Sequence, residues 1–134
     1  MLKSKYKDHY ILFLEAGFIA INQMDEPSAL RLFHAAKLIN PDSYLNEIGM
    51  GYLHLCKLEL KKAIQHFNNV IHKDPHNEMA KAFLAMAKMF STDQVKEGQE
   101  LLDSLMHSKN KDMQQFSKSS FEFIEKFMKK SAHK

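Results

Sequence analysis

Small and apolar residues return along this chain at one long interval. Gly17 and Gly51 stand 34 residues apart, and the same interval separates Ala29 from Ala63, Phe33 from Phe67 and Pro41 from Pro75. With 4 glycines and 3 prolines in 134 residues, four matched pairs at one period are a specific sign of internal repetition.

The pattern predicts a pair of helices in each period. A glycine lets the first helix approach its partner closely, because no Cβ stands in the contact. An alanine and a phenylalanine four residues apart share one face of the second helix. The ring fills the groove and the alanine leaves room for it. Proline closes the pair and turns the preceding residue, Asn40 or Asp74, away from helical angles. A third period starts at Glu78 with helices expected from Glu78 to Phe90 and from Gln94 to His107, broken at Ser91-Thr92-Asp93. In it Ala85 holds the small position, Leu101 replaces the aromatic and Glu97 occupies the alanine site. After Asn110, Met113, Phe116, Phe121, Phe123, Ile124, Phe127 and Met128 recur at helical spacings and predict a last helix with a broad apolar side.

These residues resemble the tetratricopeptide repeat, with Ala36 on its pattern beside the positions already named. The resemblance implies an all-α fold of about three antiparallel helix pairs stacked as a solenoid. Residues 1–9 would be a basic lead-in, 10–43, 44–77 and 78–109 the three pairs, and 110–134 a C-terminal amphipathic helix with a basic tail. Solenoids need an end with a polar outer face, which makes the last helix a cap; the alternative is a helix that binds a partner or a second copy. The tryptophan usual in the first helix is missing, and Phe13, Glu47 and Lys81 stand at its place.

In this family the first helix of each pair lines a concave surface. Carried onto this chain, the resemblance assigns Ile11, Leu14, Phe18, Ile21 and Asn22 to it, with Glu15 nearby. The second pair adds Leu45, Ile48, Tyr52, Leu55 and Cys56, with Gly49 nearby. The third adds Met79, Ala82, Met86, Met89 and Phe90, with Phe83 nearby. Such a groove is almost wholly apolar, so it lacks the Lys, Asn and Arg that grip an acidic tail in chaperone-binding members. An amphipathic helix of another protein is the expected occupant, and methionines give it an adaptable wall. Coverage by residues 110–130 or 1–9, or by a second copy, are the alternatives. The length and groove character are similar to the small tetratricopeptide chaperones of type III secretion, in particular the needle-subunit co-chaperones, which work beside a second small protein; the translocator chaperones are longer. A general interaction or scaffold module, as a monomer or a homodimer, is the competing expectation, as is a chaperone of secreted translocators.

Charge and composition narrow this further. The formal charge of +3 divides into +2 on residues 1–9, +4 on residues 126–134 and −3 on residues 10–125. Basicity therefore sits at the ends and not on a face, which argues against nucleic-acid binding. The apolar run Ile11-Leu12-Phe13-Leu14 is too short to span a bilayer. Asp8 and Glu15 interrupt what would otherwise imitate a leader after Lys3, Lys5 and Lys7. A single cysteine, Cys56, rules out an intramolecular disulfide and fits a reducing, cytoplasmic setting; it is expected to be a small buried or half-buried apolar group. Of the 8 histidines, His72 and His76 are four apart but separated by Pro75, so no metal is expected. No phosphate loop, nucleophile elbow or carboxylate pair marks an enzyme, and no cofactor is implied.

Overall fold

The structure is a computed structural model that describes residues 7–132. Lys3, Lys5 and Lys134 fall outside the described residues, as do the side chains of Phe123, Ile124, Phe127, Met128, Lys129 and Lys130. The described residues are all α, in seven helices. Two compact units divide them, Met1–Pro75 and His76–Lys134.

The first unit holds α1 (Lys7–Asn22), α2 (Glu26–Ile39), α3 (Tyr44–Cys56) and α4 (Leu60–Lys73). Three-residue turns join α1 to α2 and α3 to α4, and each pair packs antiparallel. Helix α1 starts at Lys7, inside the expected lead-in. Both turns are built alike. Gln23, Met24 and Asp25 donate their N–H groups to the carbonyls of Ile19, Ile21 and Ala20. Thirty-four residues on, Lys57, Leu58 and Glu59 donate to Leu53, Leu55 and His54 in the same order. The last two bonds of each set form a Schellman closure, whose central residue is left-handed and usually glycine. Here it is Met24 at φ 62° and Leu58 at φ 58°. Side-chain caps open α2 and α3: Asp25 accepts from Ser28 N–H at 3.2 Å and Ser43 from Leu45 N–H at 3.2 Å.

Glycine and ring meet as the period predicts, and more tightly. A Cβ on Gly17 would lie 2.8 Å from Phe33 Cε1, and one on Gly51 would lie 2.5 Å from Phe67 Cε1. Gly49 joins them: its Cβ would meet Phe33 Cε1 at 2.7 Å. Gly49 is therefore a buried packing position and not a member of the inner face. Two residues of helix are about 200° of rotation, so the two glycines open α3 on opposite sides, one to the ring from α2 and one to the ring from α4. Buried residues consequently lie on two opposite sides of α3: Ile48 and Leu55 with Gly51, and Asn46 and Leu53 with Gly49. Ala29, Ala36 and Ala63 are fully buried beside the rings. Pro41 and Pro75 lie exposed just past α2 and α4, whose ends are Asn40 and Asp74.

The second unit holds α5 (Glu78–Phe90), α6 (Val95–Met106) and α7 (Lys111–Ala132). Here the structure corrects the register of the second helix. The turn from Phe90 to Val95 has four residues instead of three, and it contains no left-handed residue. Everything beyond it is displaced by one. Gly98, not Glu97, takes the alanine site, and Leu102, fully buried, takes the ring site given to half-buried Leu101. Leu105 follows as the counterpart of Val70 and Ala36. The small residues have also changed places: Ala85 is on the first helix and the glycine on the second, where a Cβ on Gly98 would meet the Ala85 carbonyl oxygen at 2.9 Å. Glu97 faces outward and pairs with Lys88 Nζ at 2.7 Å. Helix α7, capped by Asn110, packs chiefly on α6, and buried Ser117 donates its hydroxyl to the Leu102 carbonyl.

Two substitutions separate these constraints. Gly51→Ala forces a methyl into the Phe67 ring and is expected to lower unfolding stability by about 1–3 kcal/mol. Leu58→Gly relieves a left-handed leucine that is mostly exposed and is expected to raise stability by up to ~1 kcal/mol. Urea unfolding midpoints at constant slope check both.

Candidate functional site

The fourteen apolar residues assigned to the inner face do not behave as one class. In the first unit Leu14, Ile21, Ile48 and Leu55 are buried and belong to the core. Leu14 and Ile21 are seven apart on the side of α1 that also buries Tyr10 and Gly17, so they serve the contact with α2 and α3. Phe18, Leu45 and Tyr52 are half-buried, and Ile11 is 47% exposed. In the second unit Ala82 is buried, Phe83, Met86 and Met89 are half-buried, and Met79 and Phe90 are 41% and 49% exposed. A thinner set of apolar groups thus reaches the surface than the repeat pattern implies.

Among those groups the first unit builds an ordered surface. The Phe18 ring meets Phe33 edge-on at 5.4 Å between centroids and tilts against Tyr52 at 5.5 Å. Tyr52 donates its hydroxyl to Asn22 Oδ1 at 2.6 Å, joining the end of α1 to the middle of α3. Burial, and then the neighbouring Cys56 thiol, push the Tyr52 hydroxyl above its ordinary pKa. Cys56 itself is exposed, contrary to the expectation of a buried or half-buried group, because it is the last residue of α3 where the chain turns away. Glu15 is exposed on the same helix. Sequence reasoning missed Leu12 and Ile19, both exposed on α1. The signal was present: α1 is apolar on nearly all sides, while only one side has a partner to bury.

Polar contacts gather instead on the α3–α4 pair. The His54 and His66 rings stack at 5.3 Å with 6° between their planes. His54 Nδ1 stands 3.0 Å from Glu59 Oε1. His66 Nδ1 stands 3.2 Å from Glu47 Oε2, at ion-pair distance but without hydrogen-bond alignment. Lys57 bridges Glu26 at 3.0 Å and Glu59 at 3.2 Å. His72 and His76 are both exposed. Among the described residues, no three His, Cys, Asp or Glu side chains are grouped to hold a metal ion, and no helix is long and apolar enough to cross a membrane.

No protein-family model matches the chain, and neither a curated protein nor a solved structure matches it. Its reading therefore rests on the residues themselves.

Glu59 carries the clearest electrostatic consequence. The hydrogen bond from His54, followed by that from Lys57, holds its carboxyl at about 2, well below the ordinary value of 4.5. A depressed carboxyl stabilises the fold above the unfolded value and loses that contribution as pH falls from 4.5 toward 2. Glu59→Gln is expected to flatten the stability profile in that window, as read by urea unfolding at stepped pH.

Proposed function

We propose that this chain is a tetratricopeptide-type protein that holds a hydrophobic or amphipathic helix of another protein and catalyses no reaction. The observation that carries this reading is that a first helix in each unit leaves apolar side chains open: Ile11, Leu12 and Ile19 on α1 of the first unit, and Met79 and Phe90 on α5 of the second. An amphipathic helix presents apolar anchors at three- and four-residue spacing, which suits helical faces of this kind. Half-buried Met86 and Met89 add flexible contact area that adapts to an incoming ridge.

Three further observations support the reading. The glycine–ring contacts recur at the tetratricopeptide interval in the first unit, with the left-handed turn repeated alongside them. In the second unit the same three packing positions return after one added residue. Helix α7 packs mainly on α6, the second helix of its pair, as a cap would. Within this proposal the chain would serve as a dedicated cytoplasmic chaperone of an aggregation-prone partner, of the needle-subunit co-chaperone kind in type III secretion, alongside a second small protein. Nucleic acid, membrane, cofactor and metal have no part in it.

Binding of fluorescently labelled amphipathic helical peptides, measured by anisotropy, tests the reading. Ile11→Glu and Met86→Glu plant charge on apolar faces and are expected to weaken binding by at least about tenfold, since an unpaired buried charge opposes association. Unchanged affinity in both variants would sink the proposal. Light scattering on the isolated chain adds a second readout: a monomer is expected, whereas a dimer that excludes peptide favours the scaffold alternative.

A further inference from the structure

A second face of the first unit has the opposite chemistry. Arg31, His34 and Lys37 stand three residues apart on α2 and share one side of it. Together with Lys73 of α4 and Asn46 of α3 they line a cleft of ≈ 930 Å³, within the ~300–1,000 Å³ usual for ligand sites. Lys37 and Lys73 have no ion-pair partner among the described residues. The cleft also includes Glu47, which keeps its negative charge while accepting from Asn69 at 2.9 Å and facing His66 at 3.2 Å, so the lining is cationic by excess and not throughout. Asp42 is the other acid in the lining. Cations in the last turns of α2 and α4 are in part explained by the helix ends they neighbour.

Asn46 is not explained that way. It is 7% exposed, and its Nδ2 donates to the Asn40 carbonyl at 2.9 Å. Its Oδ1 is buried with no hydrogen-bond partner among the described residues. A buried acceptor is costly to leave unmatched, and this one, itself enclosed, belongs to a residue that lines a cleft with cations on its rim. What complements this combination is a ligand with a neutral N–H donor and nearby negative charge.

The geometry points to a docking cleft for an acidic peptide in extended conformation. A main-chain N–H donates to Asn46 Oδ1, and acidic side chains reach Arg31, Lys37 and Lys73. Alternate residues of an extended chain repeat at ~7 Å, and Arg31 to Lys37 spans about 9 Å along the helix, so two carboxylates on one side of the peptide match the two ends. Because Oδ1 is closed off, a neighbour must shift to admit the donor; Met50, half-buried in the same lining, has the flexibility to do so. This cleft is lined from α2, α3 and α4, whereas the exposed apolar groups assigned to helix binding lie on α1 and α5.

An NMR titration of the full chain with a capped peptide alternating glutamate and alanine tests the assignment. The expected result is saturable binding that shifts the Asn46 side-chain amide and the Met50 methyl. Affinity should fall at least about tenfold in Lys37→Glu/Lys73→Glu, and also as salt is raised. Both lysines are exposed in the last turns of their helices, so the variant is expected to lose some stability but to stay folded, as read from its unfolding curve. Equal binding of the same peptide with glutamine in place of glutamate, equal binding to the variant, or no binding at millimolar peptide would each overturn the proposal. Sulfate displacing the peptide at matched charge concentration would overturn it too, leaving an anion site only.

Discussion

The first unit depends on two aromatic rings set against helix backbone where side chains are missing. Phe33 lies against Gly17 and Gly49, and Phe67 against Gly51, at distances that leave no room for a methyl group. Close packing of this kind makes each ring and each glycine conditional on the other. It also explains why α3 is buried on two opposite sides: its two glycines receive rings from two different helices. In the second unit the same space is divided differently. Leucine takes the ring position, and the glycine moves to the second helix against the Ala85 carbonyl. What persists is close approach beside one large buried side chain, not the identity of the residue supplying either.

Much of this was legible in the amino-acid order. The helix pairs, their closing residues Asn40 and Asp74, and the contact of Gly17 with Phe33 and Gly51 with Phe67 follow from one interval and the absence of a Cβ. The third pair was misread by one residue because a fixed interval cannot register a longer turn. Gly98, Leu102 and Leu105 reproduce the spacing of Ala63, Phe67 and Val70, and only the added residue before Val95 hides it. Gly49, expected near the inner face, packs against Phe33 for another reason: a family position says which side a residue usually faces, but not that a neighbouring ring will claim its space.

The candidate faces were less legible than the fold. Periodicity marks a residue as apolar and helical, yet burial depends on how many partners each helix finds. Helix α1 has more apolar sides than partners, so Leu14 and Ile21 are core while Ile11, Leu12 and Ile19 remain outside. Cys56 is exposed by its place at a helix end. Charges followed their own logic, concentrating on the α3–α4 pair and on α2, away from the apolar surface of α1. Two chemically distinct surfaces thus lie on one small unit and share no side chain.

The short turns between paired helices bear on how quickly the chain finds this arrangement. The densest contacts join α1 to α2, α3 to α4 and α5 to α6, each a neighbour in sequence. Loop closure for such contacts costs little entropy, and topologies dominated by them fold among the fastest. No distant strand or terminus has to be recruited before a pair begins to gain from its own ring and glycine. Either unit is then a fair place for folding to start, and a nascent chain emerging from synthesis has a pair to close as soon as Ile39 is available.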